Sequence, residues 1–478
     1  MSFNKKHIIS YLRKWIFERK RYRIIPLVLV VCLLSCKTQT KDNFTKEIAQ
    51  QNIKTAWEQT YPAILEAIHP PAFKDTIVHI TDTIDFRDRL NTHITDLSNE
   101  GGGIISVRPG IYNVKGSIFM KSNIKLHLSE GAILLFSPNP EDYLPVVKSR
   151  WEGTFLMNYS PLIYAIDVEN IAITGKGTID GQARSVWSAW KKKQKADKTL
   201  LRQMGNDQIP LTERIFGEDH FLRPSGIEFI NCKNILLEGF TIKNSPFWTI
   251  HPVLCENITA KNLNIQSGTT NDDGFDPESC KNVLIENCIF NTHDDCIAIK
   301  AGRDQDGWPY PPSENIIVRN NSFNTAVGSG FCIGSEMSAG VKNVFVENCR
   351  LSKSEKHAFQ FKSNPDRGGF VENVFVRNID VGDVNYGFEF TTDYKGWRGN
   401  ENFTRYEHFY FQDISIKSAL EKSITVNGRP EKPIRNIFFQ NISITDTNTK
   451  IAVKNTTGVL FDNVKINNET IDENLKSQ

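Results

Sequence analysis

No two cysteines in this sequence stand three positions apart, and no cysteine and histidine cluster has zinc-type spacing. That excludes a thioredoxin-like motif and a structural zinc site. Two of the nine cysteines, Cys32 and Cys36, fall in the first 36 residues of 478. The other seven (Cys232, Cys255, Cys280, Cys288, Cys296, Cys332 and Cys349) cannot all pair. They sit in apolar, strand-like surroundings and read as small buried hydrophobes, with no bridge supported by their spacing. A surplus of positive charge is also missing. The formal charge of +2 owes much to the first 35 residues, and the rest holds 49 basic against 54 acidic side chains. Nothing there favours nucleic acid as a partner.

Long apolar runs are scarce too. Ile24 to Leu34 is too short to span a bilayer as a helix, and a basic stretch from Lys5 to Arg23 precedes it. Those are the parts of an export signal. Its last residues, LLSC, resemble a bacterial lipoprotein signal in which Cys36 becomes the lipidated first residue. The expectation is a signal over 1–36, anchorage in the cell envelope through that lipid alone, and a tether with a capping helix over 37–72. No linker is visible from 73 to 467, so this stretch reads as one domain, with a charged tail over 468–478.

What the chain has in abundance is a repeated phrase. ENIAITGKGTI, KNILLEGFTI, ENITAKNLNI, KNVLIENCIF, ENIIVRNNSF, KNVFVENCRL, ENVFVRNIDV, EHFYFQDISI, RNIFFQNISI and TGVLFDNVKI follow one another. The marker residue, usually asparagine, falls at 170, 234, 257, 282, 315, 343, 373, 408, 436 and 458. Period-2 alternation of β-branched and aromatic residues argues strand. A recurrent short step means that each unit stacks on its neighbours. Asparagine or glycine at one place per unit suits a left-handed corner. A step of 22 to 28 residues accommodates three short strands and three turns. The fold class expected is all-β, a right-handed parallel β-helix forming a single solenoid. Phe73 to Val147 reads as turns sealing one end, and Gln182 to Phe221, with Trp187 and Trp190, as a lateral insertion.

Chemistry concentrates between Asn271 and Lys300. Asp272, Asp273, Asp276, Asp294 and Asp295 lie within 24 residues, on what should be adjacent coils. Crowded carboxylates shift one another's protonation, which serves acid and base roles. Glycoside hydrolysis needs one protonated and one ionised carboxyl. A long groove lined with aromatics would suit a sugar polymer.

NDDGFD, DDCIAIKAG, GSGFCIGSE and QFKS then occur in order. They resemble the NTD, DD, GHG and RIK blocks of the polygalacturonases, glycoside hydrolase family 28, and the resemblance covers about Phe73 to Ile466. It implies an inverting hydrolase of pectin-type glycans, galacturonan or rhamnogalacturonan, needing no cofactor or metal and expected to be a monomer. Asp294 would be the general acid, with Asp273 and Asp295 holding and deprotonating the water. Two adjacent aspartates cannot share one face of a regular strand, so a bend or bulge is expected there. Asp272 replaces the family's threonine and should point away from the cleft, and Asp276 has no role. Substrate contacts are expected from Asn271, His251, Lys300, Ser329, Gln360 and Lys362, with Asn271 orienting Asp273. Glu336 is expected behind the site, and His293 in a turn. Trp308 and Tyr310 form either a sugar platform or a loop core.

Two blocks depart from the family. Its histidine is here Ser329 and its arginine Gln360. Replacing a bidentate cation by an amide removes about 1.5–3 kcal/mol of charge-assisted bonding. That points to a leaving-side sugar other than galacturonate, unless His357, Arg303 or Arg367 supplies the lost contacts. The alternative class is a carbohydrate-binding or catalytically altered β-helix. A calcium-dependent lyase fits poorly, because the aspartate spacing is not that of a calcium loop and the DD stretch holds no arginine.

Overall fold

Residue alternation sets the architecture directly. In the computed structural model, which describes residues 44–266 and 268–471, the repeated phrase forms a parallel ladder one strand per coil. Its inward positions stack in register as Ile173, Leu237, Ala260, Ile285, Val318, Val346, Val376, Phe411, Phe439 and Phe461. Two further parallel ladders complete each coil, giving the expected β-helix. Rungs set side by side bring like residues face to face: Phe411, Phe439 and Phe461 stack at 5.2 and 5.4 Å. That is close to the spacing of hydrogen-bonded strands. All ten marker residues have positive φ, from 55° to 69°, including His408 and Gly458. Asparagine is tolerated there because its short side chain bonds along the stack, as from Asn343 to Asn315 and Asn315 to Asn282. The seven cysteines are buried and unbridged.

The ends and flanks differ from expectation in two places. The helix α1 (Lys46–Thr55), a π turn and α2 (Tyr61–Glu66) do not cap an end. They lie along the flank of the first ladder, over its outward row Leu284, Ile317, Phe345, Phe375, Tyr410, Phe438 and Leu460. That row is apolar, so a strap has to cover it. The end is sealed instead by α3 (Phe86–Asn99), which turns Phe86, Leu90, Ile94 and Leu97 onto the first coils. The tail begins late: Glu469–Ile471 pairs antiparallel with Val464–Ile466. The signal, Cys36 and residues 472–478 lie outside the described residues. No helix among the described residues is long and apolar enough to cross a membrane.

The insertion is lateral, as expected. It holds α4 (Val186–Lys193) and α5 (Lys195–Asn206) beside an antiparallel hairpin, Val147–Trp151 with Thr154–Asn158. Trp151, Leu156, Leu201, Phe216, Phe247 and Trp248 bind both to the solenoid in one apolar cluster.

Candidate active site

The third ladder carries the site. Its strands include Ile250–Val253, Ile297–Ile299, Ser329–Gly334 and His357–Lys362. The inward row, Ile297, Phe331 and Phe359, is core. The outward residues line a cavity of about 1030 Å³.

Asp294 and Asp295 lie in the corner between Ile289–Thr292 and Ile297–Ile299. This is the expected bend, and it is a turn between sheets instead of a bulge within one. Asp272 makes that turn possible. Its Oδ1 accepts the backbone N–H groups of His293 and Asp294, each at 3.0 Å, and its Oδ2 accepts that of Gly268 at 2.8 Å. The two oxygens of a carboxylate take all three donors at once, whereas a threonine hydroxyl offers one oxygen with two lone pairs. Gly328 is needed on the next coil, because a Cβ there would stand 2.0 Å from the Asp294 carbonyl carbon. The close approach lets the Ser329 N–H reach Asp295 Oδ1 at 2.6 Å.

Electrostatics separates the carboxyls. For Asp295, burial works upward, but the Lys362 and Lys300 ammonium groups win and hold it at about 2. Lys362 Nζ donates to its Oδ2 at 2.9 Å. Burial and then the charge of Asp295 push Asp294 upward. Burial, followed by Asp276 and Asp294, pushes Asp273 well above the carboxylate range. One carboxyl is thus held low beside others that are pushed upward. Lys300 ties the set together from beneath. Its Nζ donates to Gly334 O at 2.9 Å and stands 3.4 Å from Glu336, 3.9 Å from Asp273 and 4.0 Å from Asp276. Asp276 is buried with neither oxygen hydrogen-bonded, and burial raises it to about 8.

The other expected residues divide. Asn271, Lys300, Ser329, Gln360 and Lys362 all line the cavity. Asn271 donates to Asp294 at 3.2 Å, so it steadies Asp294 and not Asp273. Its oxygen accepts from Lys191 and, at 3.0 Å, from Arg223, which fastens the insertion to this turn. His251 is a correction. It points outward from its coil but is fully buried away from the cavity, because the Val147–Asn158 hairpin roofs it. It bonds Glu278 at 3.0 Å and stands 3.6 Å from Glu228, while Arg150 of the hairpin pairs with Glu278. Trp248, three residues earlier, takes the cavity position instead, with Lys300 Nζ 4.7 Å from its ring. Trp308 and Tyr310 do not line the cavity: Trp308 donates to Arg367 O at 2.6 Å but stays exposed, and half-buried Tyr310 packs edge-on against Phe155.

Beyond Asp295 the wall mixes signs: Lys356, Lys395 and Lys422 line it together with Gln360, Glu389 and Asp393. Ser329 Oγ donates to Gln360 Oε1 at 3.3 Å, and Gln360 Nε2 donates to Glu389 at 2.7 Å. His357 also reaches Glu389, at 2.9 Å, and Tyr386 stacks on its ring at 4.8 Å. Glu389 was not singled out in the sequence, although it is the register partner of Gln360 one coil on and the repeat step points to it. Glu152, Lys198 and Arg202 also line the cavity. They come from the hairpin and α5, where no repeat reports position.

Residues 216–471 match the family model described as Glycosyl hydrolases family 28. The chain belongs to this family. The solved structure of a hyperthermoactive exopolygalacturonase from Thermotoga maritima is 34% identical, with 87% of this chain and 97% of that one covered and a TM-score of 0.80. An exo-poly-alpha-D-galacturonosidase of Dickeya chrysanthemi is 24% identical across 76% of this chain and 65% of its own length. An endo-polygalacturonase of Pectobacterium parmentieri is 26% identical across 70% of this chain and 78% of its own. Family 28 membership makes the protein a glycoside hydrolase.

Proposed function

We propose that the protein is an exo-acting, inverting hydrolase that removes an acidic sugar from the end of pectin-type chains. One observation carries this reading. Asp294, pushed upward by burial and by its neighbour, sits beside Asp295, kept ionised by Lys362, in one cavity with α5 as a wall. Asp294 protonates the leaving oxygen. Asp295 takes the proton of the attacking water, with Asp273 as a hydrogen-bonding partner for that water. The residues named do this without a cofactor. The similarity to an exopolygalacturonase supports galacturonan as the substrate class, and the wall supports action at chain ends. Export and lipid anchoring at Cys36 belong to the same reading and rest on the sequence alone.

A second reading concerns the sugar left behind. Glu389, held against Gln360, favours an uncharged, hydroxyl-bearing sugar over a uronate on the leaving side, as in rhamnogalacturonan. The test is digestion of size-defined galacturonan and rhamnogalacturonan oligosaccharides, with products followed by mass and the fresh anomer by NMR. One constant small product of inverted configuration is expected, and Asp294→Asn should lower kcat about 10²- to 10⁴-fold with binding retained. Random internal cuts, a retained anomer or a near-normal rate for Asp294→Asn would each defeat the corresponding part.

A further inference from the structure

The cavity corner formed by α5 and the hairpin holds more cations than its own acids balance. Glu152, at the tip of the hairpin with φ 41°, accepts Lys198 Nζ and Arg202 Nη2, both at 2.7 Å. Arg303 also lines the cavity, from the loop that follows the strand after Asp295. Its Nη1 donates to Glu336 at 3.2 Å, but Glu336 is shared with Lys300 and stands 3.9 Å from Arg367. Arg303 is 5% exposed and its Nε has no hydrogen-bond partner, the nearest acid being Asp304 at 3.8 Å. The Nε of Arg202 is buried and unpartnered as well. Buried guanidinium groups leave donors unmade only at a cost. Lys198, Arg202 and Arg303 line the cavity with two hydrogen-bonded carboxylates among them, Glu152 and the shared Glu336, and so form a corner suited to an incoming anion.

We infer that Lys198, Arg202 and Arg303 form a carboxylate-binding corner that holds the acid group of the terminal sugar, and so select a uronate as the unit removed. The inference rests on the exo-hydrolase reading above. It assigns the acid-reading function to the insertion side of Asp294 and Asp295, opposite the wall where Gln360 stands in place of an arginine. A guanidinium fork matches a carboxylate in two parallel bonds, and two of them from different elements fix its orientation. The electrostatics agrees. Burial, then Arg367 and Arg202, bring Arg303 down to about 9 against the opposing charges of Glu336 and Asp304. Because Lys198 and Arg202 belong to α5, chains that lack this insertion would lack the corner.

The experiment measures binding by calorimetry in the Asp294→Asn chain, so that turnover does not intervene. The ligands are trigalacturonate and the same trisaccharide with its carboxyls reduced to alcohols. The acid form should bind at least tenfold tighter. Adding Arg202→Gln, whose side chain is about a third exposed and so tolerates change, should cut affinity for the acid form about 10- to 100-fold and for the reduced form far less. Arg303→Gln should do the same, with melting curves showing that each variant is folded. An equal loss on both ligands, or an undiminished preference for the acid in Arg202→Gln and Lys198→Met alike, would overturn the corner. Turnover by the unsubstituted chain is read separately: acid-selective binding without hydrolysis would sink the hydrolase reading and leave the corner standing.

Discussion

Single atoms decide the chemistry at the residue scale. Asp294 and Asp295 are chemically identical neighbours, yet Lys362 Nζ reaches only Asp295, at 2.9 Å, and the two carboxyls part. Asp272 shows how a departure from a family pattern can be structural. It replaces a hydroxyl with a carboxylate that caps the turn beneath the acid. Gln360 is different, since its amide is already committed to Glu389. An arginine placed there would find Glu389 first and spend its charge on it. Gln360→Arg alone should therefore leave kcat/KM on galacturonan within about threefold, while Gln360→Arg with Glu389→Gln should raise it about tenfold or more. Steady-state kinetics on oligogalacturonides checks this. Equal gains in the single and double variants would show that Glu389 does not guard the subsite.

Elements outside the repeat shape the protein's surfaces. The strap of α1 and α2 covers an outward apolar row that the strand alternation creates on every coil from Leu284 to Leu460. Asn52 anchors it to Tyr410 at 2.9 Å and Tyr61 to Glu347 at 2.5 Å. A chain lacking residues 44–68 should expose Phe345, Phe375, Tyr410 and Phe438 together and self-associate. Light scattering and dye binding would report it, and a monodisperse monomer would refute it. Ile53→Ala is the milder form, expected to cost about 2–4 kcal/mol in denaturant unfolding.

Across the whole molecule, stability is tied to the buried ions under the hairpin. Burial opposes charge on His251, yet its bonds to Glu228 and Glu278 carry it to about 9. That folded value lies above the ordinary histidine range near 6.5, so the stability it contributes is complete below about pH 6.5. It is lost as pH rises through about 9. Asp276, raised to about 8, acts in the same sense. The melting temperature should fall between pH 7 and 9.5, and the fall should persist in Asp276→Asn. His251→Gln should melt lower at pH 6 and show a smaller fall; an undiminished one would remove His251 from the account. The solenoid, its ten left-handed corners and the order of the acidic blocks were legible in the sequence. Each is a local pattern repeated with a period, and periodicity alone forces rungs to stack and like residues to meet. Whether His251 or Trp248 faces the cavity was not legible, because a hairpin a hundred residues earlier in the chain supplies the roof. The same holds for the strap, for Glu389 behind Gln360 and for the cations that α5 brings to the corner. The stretch from Asn271 to Lys300 thus determined which reaction the chain could support. Tertiary contacts between segments with no common repeat decided which carboxyl is held low, which are pushed upward and which side groups line the cavity, since all depend on groups brought together only by folding.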